Sequence, residues 1–330
     1  MKIQDDSIIR PKPVAEHALC SQDYLIPTDS ISLAWEYLDM ALRRRAGGFI
    51  ICGPWRIGKS SAIRYLEMVA QAKYKGLYTA TLDGETKLYV SERDFFADLC
   101  KELGVKTSGS SGECKRRAVD QMISMGKCNA KRLFLLFIDE PQKWTDLQLN
   151  WLCEIYDKLE RHNVRLISVM VGQQTLVEFR QNYIERANGV VVDRLMRQVV
   201  EFHGIRDLEE LRMVLGGYDS IFESNPAWPF TRFFFPQAYL AGFRLQEATE
   251  IIWSAFVDVI EANGKLLEYW IPMKHLTLLV EALFEDYCHK DAPDFKLDRE
   301  FVDFLIEKND FLVYLSALAS PSSRHHYDSK

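Results

Sequence analysis

The sequence predicts an α/β fold in which a parallel-sheet core is followed by a small, all-helical C-terminal lid. Segments of strand and helix character alternate from about residue 28 to residue 204, and such alternation produces a parallel sheet with helical crossovers. Residues 48–52 and the interior of residues 132–139 are apolar without alternation, as is typical of strands buried on both faces. From about Ile205 onward only helical spacing remains, which indicates the lid.

The elements of the core can be assigned in chain order. Ser91 and Asp94 resemble a capping box at the start of the third helix. The run Arg43-Arg44-Arg45 suits the negative end of the first helix dipole, with DNA binding as the alternative role. The predicted strands cover residues 48–52, 76–82, 132–139, 164–171 and 199–202, and the predicted helices cover residues 29–45, 59–75, 91–103, 113–125 and 146–162.

Composition shifts divide the chain into four predicted regions. Residues 1–27 are polar and interrupted by prolines, so we expect an extended N-terminal arm. The core covers residues 28–204 and the lid residues 205–320, and a flexible tail follows at residues 321–330. The lid contains an aromatic block, residues 228–235, which we expect to be buried because prolines flank it. The alternative is an exposed docking surface for a partner.

Length, charge and cysteine content exclude several classes of protein. The chain has 330 residues, 48% of them hydrophobic, which allows a large core beside a smaller domain. Its net charge of −6 argues against non-specific coating of nucleic acid by the whole surface. The seven cysteines have neither zinc-ligand spacing nor a disulfide pattern, and no segment has the length and apolarity of a membrane span. We therefore expect a cytoplasmic protein.

A glycine-rich motif follows the first predicted strand. Residues 53–60 read G-x-x-x-x-G-K-S, the phosphate-binding P-loop, and they lie between an apolar strand and an amphipathic helix as that motif requires. Backbone N–H groups of such a turn hold the β-phosphate, while the lysine reaches the β- and γ-phosphates. The sequence therefore predicts binding of ATP with Mg²⁺ through Gly53, Pro54, Trp55, Arg56, Ile57, Gly58, Lys59, Ser60 and Ser61.

Two acids end the third predicted strand, eighty residues after Lys59. Asp139 is suited to hold the Mg²⁺ shell together with the Ser60 hydroxyl, and Glu140 is suited to polarise an attacking water. Lys59 completes the catalytic set by contacting the transferred phosphoryl group. The alternative is an exposed Asp-Glu turn after a core strand. The pair favours an ATPase over a small-molecule kinase.

A P-loop core followed by a helical lid resembles the AAA+ ATPases. The resemblance implies a polar sensor after the fourth strand, where Gln173 or Gln174 stands, and Gln173 is the candidate. It also implies an arginine finger that enters a neighbouring subunit's site. Arg194 fits the family spacing better than Arg197, and Arg244 matches the sensor arginine of the lid. Surface ion pairs are the alternative explanation of all three arginines.

Within AAA+, the whole chain is most similar to the TnsC/TniB regulators of bacterial cut-and-paste transposons, including CRISPR-associated elements. The similarity rests on the arm, the P-loop, the compact lid and the turn Asp139-Glu140-Pro141-Gln142. It implies ATP-dependent rings or filaments on duplex DNA, with slow, assembly-dependent hydrolysis. It further implies a transposase and a target-selector protein, such as a TniQ-type adaptor, as partners.

The same resemblance implies DNA-backbone contacts from basic residues between the second and third strands, although each of them suits a solvated surface equally well. Contacts of this kind position a protein without reading sequence. Three alternatives stay open: a replication-initiator or helicase-loader ATPase, a signalling NTPase that needs no DNA, and a metabolite kinase. The candidate DNA-binding residues are Lys87, Arg93, Lys106, Lys115, Arg116 and Arg117.

Overall fold

The computed structural model describes residues 7–86, 89–186, 188–263 and 271–318. The first six residues of the arm, Lys87 and the predicted tail at residues 321–330 lie outside the described residues. The chain divides into two compact units. The core unit comprises Ser30–Trp55 and Lys59–Phe202, and the helical unit comprises Met1–Asp29, Arg56–Gly58 and His203–Lys330.

The core unit contains a five-stranded parallel sheet in the order β2-β3-β4-β1-β5. All five predicted strands are confirmed to within two residues at each end. The most apolar of them, β3, lies between β2 and β4 and is fully buried over its first six residues, because helices cover both faces of the sheet. The strands are β1 (Phe49–Cys52), β2 (Tyr78–Asp83), β3 (Leu133–Asp139), β4 (Arg165–Gly172) and β5 (Val199–Glu201).

Within the described residues of this unit, seven helices surround the sheet. The Ser91 side chain accepts a hydrogen bond from the N–H of Asp94, and Ser110 forms a complete capping box with Glu113, so both helix starts are fixed by local sequence. The last two helices lie in a stretch for which the sequence predicts no element. The helices are α1 (Asp29–Arg44), α2 (Lys59–Lys73), α3 (Glu92–Glu102), α4 (Ser111–Gly126), α5 (Asp146–Arg161), α6 (Thr175–Glu185) and α7 (Gly189–Leu195).

The helical unit is built around the aromatic block. Phe230, Phe233, Phe234 and Phe235 are at most 2% exposed, which confirms the predicted burial of the block. Ring contacts with Phe284 of a later helix join the block to its surroundings. The helices of this unit are α8 (Leu208–Ser220), α9 (Phe230–Phe234), α10 (Pro236–Leu240), α11 (Thr249–Ala262), α12 (Met273–Tyr287), α13 (Arg299–Lys308) and α14 (Phe311–Leu318).

The N-terminal arm differs from the extended segment that its sequence predicts. Its described part contains a 3₁₀ turn at Val14–Glu16 and belongs to the helical unit. The His17 ring lies 4.3–4.9 Å from the ring centroids of three buried phenylalanines of the aromatic block, and Tyr24 donates a hydrogen bond to Glu281 at 2.8 Å. The buried His17 ring and the half-buried Tyr24 side chain thus attach the described part of the arm to the rest of the helical unit, although the arm is polar in composition. Within the described ranges, every helix is too short or too polar to cross a lipid bilayer.

Candidate nucleotide site

Of the predicted site residues in the core unit, those expected to bind phosphate and Mg²⁺ lie together at the carboxyl edge of the sheet. Strand order places the ends of β1, β4 and β3 side by side, with Cys52 opposite Gly172 and Asp139 opposite Val171. The N–H of Gly53 donates to the Gly172 carbonyl at 3.2 Å, and the N–H of Glu140 donates to the Val171 carbonyl at 2.7 Å. The start of the P-loop, the acidic turn and the residues after β4 therefore share one edge.

Lys59 lies inside the P-loop at the first position of α2. The side chain is only 8% exposed, and its Nζ donates to the Gly53 carbonyl at 2.9 Å and to the Pro54 carbonyl at 2.5 Å. Burial lowers the pKa of Lys59, while the charges of Glu140 and Asp139 oppose that shift. The first turn of α2 also leaves the N–H groups of Lys59, Ser60 and Ser61 without partners inside the helix. A buried cation and free N–H groups at a helix start form an anion site.

Asp139 lies near two other acidic side chains at this edge, those of Glu140 and Asp83. Burial raises its pKa, the nearby charges of Glu140 and Asp83 raise it further, and Lys59 acts in the opposite direction. A divalent cation would relieve this repulsion. Mg²⁺ binds through one or two carboxylates together with substrate phosphates and water, so Asp139 and the exposed Ser60 hydroxyl fit it. Among the described residues, no group of three or more acidic, histidine or cysteine side chains forms a complete metal cage.

Glu140 is held in place by two glutamine side chains. Its backbone is left-handed, with φ 53° and ψ 45°, and this turn directs the carboxylate toward the end of β4. Glu140 Oε2 accepts hydrogen bonds from Gln142 Nε2 at 2.7 Å and from Gln173 Nε2 at 3.1 Å. Gln173 therefore contacts Glu140, while Gln174 precedes the first residue of α6. The sequence contains the Asp-Glu-Pro-Gln turn but gives no sign that Gln142 folds back onto Glu140.

Gly84 follows β2 directly and contacts the backbone at the end of β3, next to Asp139 and Glu140. Its N–H donates to the Asp139 carbonyl at 2.6 Å. A Cβ at this position would lie 2.1 Å from the Glu140 carbonyl oxygen, so only glycine allows the approach. Sequence reasoning missed this residue, because a close contact between two strands leaves no local pattern.

The P-loop tip, Arg56–Gly58, groups with the helical unit. The Arg56 carbonyl accepts a hydrogen bond from the N–H of Lys274 at 3.0 Å, and its guanidinium lies 3.3 Å from His275 Nε2. The same guanidinium lies 5.8 Å from the centre of the Tyr314 ring. Burial, followed by the Arg56 charge, lowers the pKa of His275 to about 4. The tip is thus tied to α12 by contacts that the motif does not require.

The two candidate finger arginines have different environments. Arg194 forms two contacts of 2.7–3.0 Å with the Asp157 carboxylate and lies 5.4 Å from the centre of the Tyr156 ring. The Arg197 side chain is 54% exposed, and the only ion pair that it forms within the described residues joins it to Asp193, which is also exposed. Arg194 is therefore engaged within the core unit, whereas the Arg197 side chain is exposed, and the finger role of either arginine stays a prediction.

Arg244 is engaged within the helical unit. Its Nη1 donates to the carbonyls of Tyr239 and Phe243 at 2.8 Å and 2.7 Å, and its guanidinium lies 3.5 Å from the centre of the Tyr239 ring. These contacts fix the turn between α10 and the following segment. Its role as a nucleotide sensor stays a prediction.

The predicted DNA-binding residues fall into two groups. Arg93, Lys115 and Arg117 make intramolecular contacts: Arg93 with Gly109 and Asp94, Lys115 with Glu92 and Glu154, and Arg117 with the carbonyls of Lys106, Ser108 and Glu113. The side chains of Lys106 and Arg116 are exposed and, within the described residues, form no hydrogen bond or ion pair. Lys87 lies outside the described residues.

Comparison with known proteins identifies the fold. Residues 42–179 match the family model of an AAA domain, and the chain has the AAA+ P-loop fold. The structure resembles the ORC2 protein of Aeropyrum pernix, solved as ADPNP–ADP complexes, with a TM-score of 0.56, 14% identity, and coverage of 92% of this chain and 75% of that chain.

Two further structures are similar at lower scores. The ORC1 protein of Aeropyrum pernix in complex with DNA matches with a TM-score of 0.41, 14% identity, and coverage of 94% of this chain and 86% of that chain. Domain III of the Thermotoga maritima replication initiation protein DnaA matches with a TM-score of 0.40, 12% identity, and coverage of 86% and 94%. The sequence matches no curated protein.

Proposed function

We propose that this chain is an AAA+ ATPase that acts on duplex DNA as a nucleotide-controlled switch, in the manner of replication initiators and helicase loaders. One observation carries the ATPase assignment. Lys59 lies at the carboxyl edge of the sheet inside the P-loop, and its charge acts on Asp139 and Glu140, the acids that such a reaction needs. The seven cysteines of the chain are all free thiols, which is typical of proteins in a reducing cytoplasm.

The residues at this edge are suited to hydrolysis of the γ-phosphate. Lys59 and the N–H groups at the start of α2 bind and orient the β- and γ-phosphates. Mg²⁺, held by Ser60 and Asp139, would neutralise charge on the phosphate oxygens. Glu140 orients a water and accepts its proton as the water oxygen bonds to the γ-phosphorus and the bond to the bridging β–γ oxygen breaks. The products are ADP and inorganic phosphate.

Hydrolysis is expected to depend on assembly, because an arginine from one subunit completes the site of its neighbour. The Arg194 guanidinium is occupied by Asp157, whereas Arg197 is exposed, and this difference favours Arg197 as the residue that enters a neighbour's site. A guanidinium supplied in trans raises phosphoryl-transfer rates by about 10³–10⁵ where its effect is known. Hydrolysis by the isolated chain is therefore expected to be slow.

DNA binding is supported by exposed basic residues between β2 and β3. The side chains of Arg116 and Lys106 are exposed and, among the described residues, form no hydrogen bond or ion pair, so phosphate groups can reach them. Lys115 and Arg117 are engaged within the core unit and contribute less to this proposal. The binding is expected to be independent of sequence, since phosphate contacts carry no base information.

A second candidate function is regulation of DNA transposition, with a transposase and a TniQ-type target selector as partners. It rests on the resemblance of the Asp139-Glu140-Pro141-Gln142 turn to that of the TnsC/TniB regulators. Within this turn Gln142 donates a hydrogen bond to Glu140, so the turn helps to position the proposed catalytic carboxylate. Both candidate functions require ATP hydrolysis and duplex DNA, and they differ in the proteins that are recruited.

The proposal is tested by light scattering and phosphate release with ATP and Mg²⁺, with and without a random-sequence duplex. We expect large particles on the duplex, and we expect Glu140→Gln to retain them while losing hydrolysis. A chain that neither binds ATP nor responds to duplex would contradict the proposal. A reconstituted insertion reaction then separates the candidates, because only a transposition regulator stimulates the transposase.

A further inference from the structure

The tip of the P-loop contains an arginine in a strained backbone conformation. Arg56 has a φ of 65°, in the left-handed region that glycine adopts freely and that a residue with a Cβ adopts at a cost in free energy. Gly58, two residues later, also has a positive φ, of 97°. A glycine at position 56 would form the same turn without strain, so an arginine here points to a role for its side chain.

The Arg56 side chain is anchored on two buried rings of the helical unit. Its Nη1 lies 3.3 Å from His275 Nε2, and its guanidinium carbon lies 5.8 Å from the centre of the Tyr314 ring. The second distance is within the range of a cation–π contact. His275 is 1% exposed and Tyr314 is 5% exposed. The guanidinium group is therefore held by residues whose own positions are fixed by packing.

The direction of the hydrogen bond follows from the chemistry of the two groups. A guanidinium has only donors, so His275 Nε2 accepts and the ring carries its proton on Nδ1. Burial, followed by the Arg56 charge, lowers the pKa of His275 to about 4. The ring is therefore neutral at pH 7, and its Nε2 lone pair is available to Arg56.

The backbone of the tip is attached to the start of α12. The Arg56 carbonyl accepts a hydrogen bond at 3.0 Å from the N–H of Lys274, a group that has no partner inside the first helical turn. Ile57 is 2% exposed, and a Cβ on Gly58 would lie 3.8 Å from Met273 Cβ. Both the backbone and the side chain of Arg56 are thus fixed by the helical unit.

The same rings attach α14 to the rest of the helical unit. The His275 ring lies 4.8 Å from the Tyr314 ring and 5.1 Å from the Phe311 ring. Phe311 also contacts Phe256 of α11 at 5.0 Å. With only eight residues, α14 is too short to be stable as an isolated helix. Its stability depends on these ring contacts, and Arg56 lies against two of the rings.

We propose that Arg56 is a positioning residue, whose attachment to His275 and Tyr314 holds the P-loop tip in the turn that receives the nucleotide phosphates. The proposal rests on the nucleotide binding proposed above and adds its regulation by α14. A loop that is fixed before binding loses less conformational entropy on binding. By linkage, the nucleotide stabilises docked α14 by the same factor by which docked α14 strengthens nucleotide binding.

Arg56→Gly tests the side chain alone, because glycine keeps the left-handed turn without strain. We expect the Kd for ADP with Mg²⁺, measured calorimetrically on the dilute chain, to rise about 5- to 50-fold, as is usual for coupled sites. Arg132→Gly is the matched control, since Arg132 is also a left-handed arginine, with a φ of 52°, and lies outside the P-loop. It should leave the Kd unchanged.

Substitutions of His275 test the partner of Arg56. His275→Leu fills the site but cannot accept a hydrogen bond, whereas His275→Gln retains an acceptor. We expect His275→Leu to weaken ADP binding and His275→Gln to weaken it less. Combining Arg56→Gly with His275→Leu should weaken binding no further than the more severe single variant, since both remove one contact. Effects that multiply in the double variant would overturn the proposal.

Amide hydrogen exchange of α14 gives a readout that is independent of hydrolysis. In the wild type, saturating ADP with Mg²⁺ should slow exchange of the α14 amides by about the factor by which Arg56→Gly weakens ADP binding. In Arg56→Gly, ADP should leave the exchange of these amides unchanged. The Arg132→Gly control should respond to ADP as the wild type does.

The remaining outcomes separate the proposal from its premise. Wild-type or tighter ADP binding in Arg56→Gly would show that the attachment does not prepare the tip for phosphate. Weaker binding in Arg56→Gly, with no effect of ADP on α14 exchange in the wild type, would assign Arg56 a direct contact with the nucleotide and overturn the proposal. A wild-type chain that binds neither ADP nor ATP would instead contradict the proposed function itself.

Discussion

Gln173 donates a hydrogen bond from Nε2 to Oε2 of Glu140 across 3.1 Å, although 33 residues separate them. The contact joins the residue after β4 to the carboxylate that would activate water. Gln142 donates to the same oxygen at 2.7 Å. With both amides bound, Oε2 has little remaining capacity to orient a water, and the two contacts restrict rotation of the carboxylate.

Loss of the hydrogen bond from Gln142 should therefore allow the Glu140 carboxylate to reorient. We expect Gln142→Ala to raise basal ATP hydrolysis about 3- to 10-fold, since a hydrogen bond to a charged group contributes about 1.5–3 kcal/mol and Gln173 retains part of the hold. Phosphate release under single-turnover conditions measures this. Gln174→Ala is the control, and a slower rate in Gln142→Ala would mean that Gln142 orients Glu140 productively.

Asp139 should destabilise the nucleotide-free protein at neutral pH. Its pKa is raised in the folded state, so the stability that its protonated form contributes is present below about pH 3.8 and is lost as pH rises through the folded value. Asp139→Asn removes this cost, and we expect Tm at pH 7 to rise by about 2–4 °C, the effect of about 1 kcal/mol in a domain of this size.

Calorimetry with and without Mg²⁺ and ATP completes this test. The variant should lose most of the stabilisation that the ligands give the wild type, because one of the groups proposed to hold Mg²⁺ is gone. Asp120→Asn, on the exposed surface of α4, is the control and should change neither property. An unchanged or lower Tm in Asp139→Asn would show that the carboxylate is not strained at this edge.

Gly84 should be intolerant of any side chain. An alanine Cβ would overlap the backbone of Glu140, so we expect Gly84→Ala to push the end of β2 away from β3 and to lower hydrolysis at least about 10-fold through misplacement of the acidic turn. Gly112→Ala is the control because a Cβ at that position would lie in open space. Equal hydrolysis in the two variants would show that the acidic turn tolerates the shift.

The parallel sheet and the proximity of the main candidate site residues could be predicted from the sequence because both depend on local signals. Apolar runs mark the strands, and the carboxyl ends of parallel strands necessarily meet at one edge, which brings Lys59 near Asp139. Contacts between distant residues leave no such signal. The burial of His17 depends on rings more than 200 positions away, and the hold on Glu140 depends on the left-handed backbone that turns it toward Gln173.

Arg194 and Arg197 should respond differently to truncation. Arg194→Ala removes an ion pair with Asp157 and the contact with Tyr156, so we expect a loss of about 1 kcal/mol of unfolding free energy. Arg197→Ala should leave stability unchanged and abolish the assembly-dependent part of hydrolysis. Urea denaturation and phosphate release of both variants measure this. The reverse pattern would assign the trans role to Arg194.

The buried histidine of the arm should make the helical unit sensitive to acid. Burial lowers the pKa of His17 to about 4, although Glu223 acts in the opposite direction. His17 alone therefore makes the unfolded chain bind one more proton than the folded chain between about pH 4 and pH 6.5, and its contribution lowers stability by about 1.4 kcal/mol for each pH unit as pH decreases through this window.

His17→Asn removes this titration and keeps an acceptor for the N–H of Leu19, which donates to His17 Nδ1 at 3.2 Å. The variant is expected to be less stable at pH 7, because its smaller side chain leaves space among the phenylalanines, and to lose less stability on acidification. Urea denaturation from pH 4.5 to pH 7 gives both slopes. His289→Asn, at an exposed position, should retain the wild-type slope, and an equal slope in His17→Asn would show that His17 is not the acid-sensitive group.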